Sequence, residues 1–286
     1  MSDFASTATE LLTVVAVGAD TFVSRFFTDD GFRQYGGLTA AQAVRAASLT
    51  VEPEYLPHAV QCSFVHGGDA ARPVEYRVER DRDGRSFATR RVTATQDGAL
   101  LAHAMVSFQT DHSAVDHHPD VLPVVDAPEH SRSFRVPRLM SMEGRLPSQL
   151  RPLTDWPTRF WVRCTDNIAP DDALSHAVLA VYLSDISTGL ATLRDADWAY
   201  GPTLNHTVWL HRPLRMDDWV LLDLTPRSVA GGRGWYTGTL SSRDGALGAS
   251  LAQEALFRAA GRDTRSPFAL TFTDEADSPT DTANGA

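Results

Sequence analysis

The chain has 286 residues, 43% of them hydrophobic and 22% charged, which is ordinary for a globular protein with room for one large domain or two of average size. A formal net charge of −10 argues against a duplex-binding or anionic-membrane surface. All 26 basic residues are arginine, which excludes a lysine Schiff base, a pyridoxal-phosphate anchor and a P-loop lysine.

In chain order, Leu12, Val14 and Val15, a Gly18-Ala19-Asp20 turn, and Phe22, Val23, Phe26 and Phe27 predict strand, turn, strand over residues 10–35. The longest apolar run, Leu11 to Ala19, is too short to span a bilayer. Met1-Ser2-Asp3-Phe4 lacks the basic region of a signal peptide, so the expectation is a cytoplasmic protein that does not enter a membrane. Gly36-Gly37 opens a helix whose alanines, Ala40, Ala41, Ala43, Ala46 and Ala47, make a slim rod able to lie close against a sheet. Strands follow at Ala59 to Val65, Val74 to Asp81, Phe87 to Thr95 and Leu100 to Gln109, the last two joined by an Asp97-Gly98 hairpin signal. Cys62 and Cys164 could form one disulfide by arithmetic, but their apolar neighbours favour two buried free thiols in a reducing compartment.

Prolines punctuate residues 111–158, which read as a connector, partly ordered at most. His112, His117, His118 and His130 lie there without metal-ligand spacing and read as solvated, so no metal is expected. Past the connector, Trp161-Val162-Arg163 reads as a strand and Asp171 or Asp172 as the cap of a long helix from Ala173 to Leu190. Strands at Thr207 to His211, Trp219 to Leu224, Gly234 to Ser241 and Ala246 to Arg258 complete the second half. Residues 262–286 are polar and acidic and read as a disordered tail.

The halves share wording. Gly84-Arg85-Ser86-Phe87 matches Gly232-Arg233-Gly234-Trp235, and Asp97-Gly98-Ala99-Leu100 matches Asp244-Gly245-Ala246-Leu247, in the same order and at nearly the same spacing. This predicts an internal duplication of a helix followed by antiparallel strands. The units are an N-terminal one over 1–110 and a C-terminal one over 159–261. The densest polar chemistry falls in Thr203 to Pro213, where Thr203, Asn205, His206, His211 and Arg212 interleave with apolar residues.

These phrases, with Tyr35-Gly36-Gly37, Tyr182-Leu183-Ser184-Asp185, His206-Thr207-Val208-Trp209-Leu210-His211-Arg212-Pro213 and Ala252-Gln253-Glu254, resemble the type II acyl-CoA thioesterase family over residues 10–260. The resemblance implies an α+β double hotdog, two tandem units each with a central helix wrapped by an antiparallel sheet. It also implies hydrolysis of acyl-CoA to a free acid and CoA, no cofactor, no nucleic-acid or membrane partner, and a homo-oligomer. The catalytic trio it implies falls on Asp185, Thr203 and Gln253, which would hold and activate one water without a covalent acyl-enzyme. A thioester is a good electrophile with a good leaving group, so a carboxylate base and a positioned water suffice. Gly36 and Gly37, opening the first helix, are the candidate substrate-binding residues, because bare backbone at a helix N-terminus can approach a developing oxyanion. CoA phosphates would meet scattered arginines such as Arg85, Arg90 or Arg233.

By residue type alone, Asp185 reads as a capping residue, Thr203 as a turn residue and Gln253 as a buried structural amide. His206, His211 and Arg212 read as packing groups. His58 matches a family histidine position. The sequence departs from the family's phrases at Leu38, Asn205 and Gln61, and Leu38 and Asn205 motivate the alternative of a non-catalytic protein that binds acyl-CoA or an acyl carrier. The Gly-x-Ser-x-Gly phrase of serine hydrolases and the phrase of hotdog hydratases are absent.

Overall fold

The computed structural model describes residues 4–28, 33–110, 115–118, 123–148, 157–186, 188–193, 198–259 and 271–272. A short helix α1 (Ala8–Leu11), capped by the Thr7 side chain, leads into strands β1 (Val14–Gly18) and β2 (Thr21–Ser24). Helix α2 (Gly36–Ser48) and strands β3 (Leu56–Phe64), β4 (Glu75–Asp83), β5 (Phe87–Gln96) and β6 (Ala99–Gln109) follow. Then come β7 (Arg132–Arg135), β8 (Met142–Leu146), β9 (Arg159–Cys164) and helix α3 (Ala173–Ser184). The chain closes with β10 (Trp198–Leu210), β11 (Val220–Ala230), β12 (Arg233–Ser242), β13 (Leu247–Ala259) and β14 (Thr271–Phe272).

One antiparallel sheet takes in all these strands in the order β1-β2-β4-β5-β6-β3-β10-β13-β12-β11-β9-β8-β7-β14. Read outward from the β3–β10 seam, each half runs through the strand after its helix, then the last, third and second of that group, then the strand before the helix. The duplicated wording thus corresponds to a duplicated strand order. The seam is set by His206 opposite Cys62 and Val208 opposite Val60.

Helix α2 shows why alanine was chosen. Ala40, Ala41, Ala46 and Ala47 are fully buried, and the helix packs against β3 to β6 on one side and α3 on the other. Small side chains let both layers come close, and an added Cβ at Gly37 would stand 2.5 Å from the Tyr182 carbonyl oxygen of α3. Asp172 caps α3 by accepting a hydrogen bond from the Ser175 backbone N–H at 2.9 Å.

The structure departs from the sequence expectations in several places. Helix α3 stops at Ser184, not Leu190. Ile186 and Leu190 are buried in irregular chain, so the apolar run reflected burial rather than helix. Strand β10 begins at Trp198, not Thr207, because the ladder admits Gly201-Pro202 at a bulge where proline's missing N–H costs nothing. The stretch expected as a connector carries β7 and β8, and β8 pairs with β9 to join the second half's sheet. The two hairpins expected to match differ. Asp97 and Gly98 both take positive φ, as a two-residue turn requires, whereas residues 243–246 form a longer loop with only Gly245 there. The acidic tail lies outside the described residues except Thr271–Phe272, which pair with β7.

Arg90, a candidate for CoA phosphate, is 1% exposed. Its five N–H groups bond Thr50 Oγ1, the carbonyls of Thr50, Arg82 and Thr89, and Asp83. It is a structural cation and has no donor left for a ligand. Arg233 is exposed but pairs with Glu254 at 2.8 Å, and Arg85 is exposed. Among the described residues no helix is long and apolar enough to cross a membrane.

Candidate active site

Four elements converge at the seam. Asp185 follows the last turn of α3 as its C-cap and is 2% exposed. Gly36 and Gly37 are the first residues of α2, whose N-cap residue Tyr35 supplies no side-chain cap. Asp185 fills that vacancy from the neighbouring helix by accepting the Gly37 N–H. Gly36 is the closest approach, since a Cβ there would lie 2.4 Å from Asp185 Oδ2.

Thr203 reaches the carboxylate because of the bulge. His206 stands opposite Gln253 and Thr203 opposite Ala255, so three steps on β10 match two on β13. The extra residue reverses the alternation and turns Thr203 onto the same inward face as Gln253 and Ala255. Thr203 Oγ1 then donates to Asp185 Oδ1 at 2.8 Å, and Gln253 Nε2 donates to Thr203 Oγ1 at 2.8 Å. Donors point in one direction along the chain Gln253, Thr203, Asp185, which fixes the hydroxyl rotor. Burial pushes the Asp185 carboxyl up to about 7, against the opposing pull of Thr203, Gln253, the Gly37 amide and the Arg138 charge. A carboxylate poised near neutrality suits a general base.

All five residues singled out in the sequence therefore meet at one place. Of their neighbours, Tyr35 and Tyr182 stand in the sequence only inside the family's phrases, His206 reads there as a packing group, and Arg138 carries no signal. Tyr35 packs edge-on against Tyr182, with ring centroids 5.6 Å apart. Arg138, in the left-handed region at φ 62°, bonds the Arg33 carbonyl and lends its charge to the site. His206 is fully buried behind the trio, and burial drives its imidazole down to about 4, so it is neutral.

Other side chains of nucleophilic type have surroundings that suit the role less well. Ser184 Oγ lies 2.7 Å from His206 Nε2, a spacing that resembles a nucleophile–base pair. Its hydroxyl, however, also reaches the Val181 carbonyl of its own helix at 2.8 Å and is fully buried, as a packed helix serine is. Cys62 and Cys164 are buried free thiols, and burial pushes Cys62 far up and Cys164 up to about 11. Neither is a thiolate near neutral pH.

Outside the trio, His58 packs edge-on against Phe87, and Asn205 bonds Ser63 at 2.9 Å across the seam. His211 meets Ser250, and Arg212 meets Asp116 and the Leu247 carbonyl. Leu38 is buried in the core. Among the described residues no group of three or more histidine, cysteine or acidic side chains is placed to hold a metal; His112 lies outside them.

Comparison with known proteins decides the family. A model of the acyl-CoA thioesterase N-terminal domain matches residues 27–109, and one of the C-terminal domain matches residues 114–257. The chain belongs to the acyl-CoA thioesterase family. Within it, the chain is 30% identical to acyl-coenzyme A thioesterase 8 of Rattus norvegicus over 290 residues, covering 90% of this chain and 91% of the relative. The crystal structure of an acyl-CoA thioesterase II from Mycobacterium marinum is similar at 29% identity and TM-score 0.72, over 89% of this chain and 98% of that one. A hot dog fold protein of unknown function from Alicyclobacillus acidocaldarius shares the fold at TM-score 0.70 and 21% identity, over 88% of this chain and 97% of that one. The thioesterase family's hotdog fold is thus the fold of this chain.

Proposed function

We propose that Asp185, Thr203 and Gln253 activate one water that attacks the acyl-CoA thioester directly, at the N-terminus of α2. As a member of its family the chain is a thioester hydrolase acting on acyl-CoA. The observation that carries the site reading is the hydrogen-bond chain from Gln253 through Thr203 to a buried carboxylate poised near pH 7. Water would donate one hydrogen to Asp185 and the other to the remaining lone pair of Thr203 Oγ1, leaving its own lone pair toward the carbonyl carbon. Asp185 takes the water proton as the C–O bond forms. The carbonyl oxygen gains charge beside Gly36 and Gly37, where the positive end of the α2 dipole lies. Collapse breaks the C–S bond, and the departing thiolate takes up the proton held by Asp185, giving carboxylic acid and free CoA.

Two hotdog units, 1–110 and 159–261, each with a central helix, belong to the same reading, supported by the repeated strand order and the packing of α2 on β3 to β6. So does association of chains, supported by Met105, Trp209 and Trp235 left exposed on the sheet. Two buried free thiols support a reducing, cytoplasmic setting.

Thr203→Val removes the hydroxyl at nearly constant volume, and its kcat for CoA release is expected to fall by roughly 10²-fold. Thr203→Ser keeps the hydroxyl and should stay within about tenfold of the parent. Thiol release over a panel of short, medium, long and aryl acyl-CoAs measures both and identifies the preferred acyl group. A valine variant with full activity would remove Thr203 from the mechanism.

A further inference from the structure

Among the described residues, the Tyr35 hydroxyl is a buried polar atom beside the trio with no assigned task. It makes no hydrogen bond to any of them. A buried donor left unpaired costs roughly 1–3 kcal/mol, which a packed protein does not retain without a reason. Phenylalanine would fill the same space without that cost.

The position narrows the reason. Tyr35 directly precedes Gly36, the residue closest to the carboxylate, and its ring covers Gly37: a Cβ there would lie 2.6 Å from Tyr35 Cε1. The edge-on contact with Tyr182 fixes the ring plane from the other side. Held so, the hydroxyl lies within the electrostatic reach of Asp185, the carboxylate of the trio, and of Arg138. Burial, reinforced by the Asp185 charge, keeps the phenol protonated well above the ordinary range, so it remains a donor at any working pH.

We propose that the Tyr35 hydroxyl is a substrate-contacting donor, presented to the thioester carbonyl oxygen together with the α2 N-terminus. This rests on the assignment of Asp185, Thr203 and Gln253 as the water-activating set. A donor unpaired in the free protein and paired only once the carbonyl arrives places its binding energy on the reacting state, where it accelerates the chemistry. It also explains why Gly37 must lack a side chain even apart from α3, because the ring lies across it.

Tyr35→Phe tests this in the full chain, alongside Asp185→Asn. The expected result is a kcat lowered about 10- to 100-fold, KM within about threefold, and a melting temperature equal to or above the parent's. Two unreactive ligands separate contact from packing: a dethia analogue that keeps the carbonyl with CH2 in place of sulfur, and an S-alkyl-CoA that lacks the carbonyl. Tyr35→Phe should weaken the first about tenfold and leave the second unchanged. Unchanged kcat, or equal weakening of both analogues, overturns the proposal and makes Tyr35 a packing residue. Full turnover in Asp185→Asn would instead overturn the water-activating set, so the two failures are distinguishable.

Discussion

Asp185→Asn is expected to lower CoA release by roughly 10²- to 10⁴-fold, the usual contribution of a general base, while raising the melting temperature above neutral pH. The two effects have one origin. In the fold the carboxyl titrates near 7, against an ordinary 3.8. Between those values the unfolded chain has released the proton and the folded chain still holds it, so stability falls as pH rises through this window and levels off above it. The full cost is on the order of 4 kcal/mol at about 1.4 kcal/mol per pH unit. Asparagine carries no charge to bury, but it sets its NH2 against one of the donors, Thr203 or the Gly37 amide. That mismatch costs about 1–3 kcal/mol. Charge relief therefore outweighs the mismatch at pH 8 and vanishes near pH 4, where the variant should be the less stable of the two. Thermal melts at both pH values check it. A difference in melting temperature that does not change with pH would mean that Asp185 is an ordinary surface-like carboxyl.

The second large effect is expected at Gly36. A methyl group there meets Asp185 Oδ2 at 2.4 Å and the Phe64 ring at 3.0 Å. Something must shift, and the carboxylate is the movable group, so Gly36→Ala pushes Asp185 away from Thr203. A misplacement of about 1 Å in a catalytic group costs on the order of 10²-fold in rate. The stability loss should stay near 1–3 kcal/mol, the usual cost of one excess methyl in a packed region. Gly37→Ala is the contrast. There the methyl meets the Tyr182 backbone carbonyl at 2.5 Å, which cannot move without parting α2 from α3. It should lose more stability than Gly36→Ala does. Paired melts and thiol-release rates distinguish them, and a fully active Gly36→Ala would show that the carboxylate does not depend on bare backbone at that point.

Much of this architecture was legible in the sequence because periodicity and turn chemistry speak directly about local backbone. The alanine helix, the alternating strands β4 to β6 and β11 to β13, and the repeat of wording all carried through to the duplicated strand order. The misreadings arose where burial imitates helix or where the chain breaks its own period. Ile186 and Leu190 are apolar because they are enclosed, and no periodicity separates that from a helical turn. Thr203 reads as a turn residue by type, whereas the ladder absorbs it, with Gly201-Pro202 before it, in a bulge whose partner, β13, is some fifty residues away.

The site divides in the same way. Asp185, Thr203 and Gln253 came from the phrases of a family, and residue type alone would have left each a cap, a turn residue and a buried amide. What no pattern could supply was the direction of their hydrogen bonds, the raised carboxyl pKa and the role of α3's end as cap for α2. Tyr35 stands in one of those phrases, yet its buried, unpaired hydroxyl is a property of packing between α2 and α3. Arg90 was misread for the converse reason: a positive charge in a strand suggests a ligand, and only the fold reveals that all five of its donors are already used.

The most direct measurement is the pH dependence of kcat/KM for CoA release, with the best substrate of the acyl-CoA panel, in the parent and in Asp185→Asn. Asp185 must be ionised to accept the water proton, so the parent's rate should rise tenfold per pH unit at low pH and level off through a midpoint near 7. The residual rate of the variant should lack that inflection. A parent profile already flat between pH 5 and 8, or an inflection that survives in Asp185→Asn, would contradict Asp185 as the base.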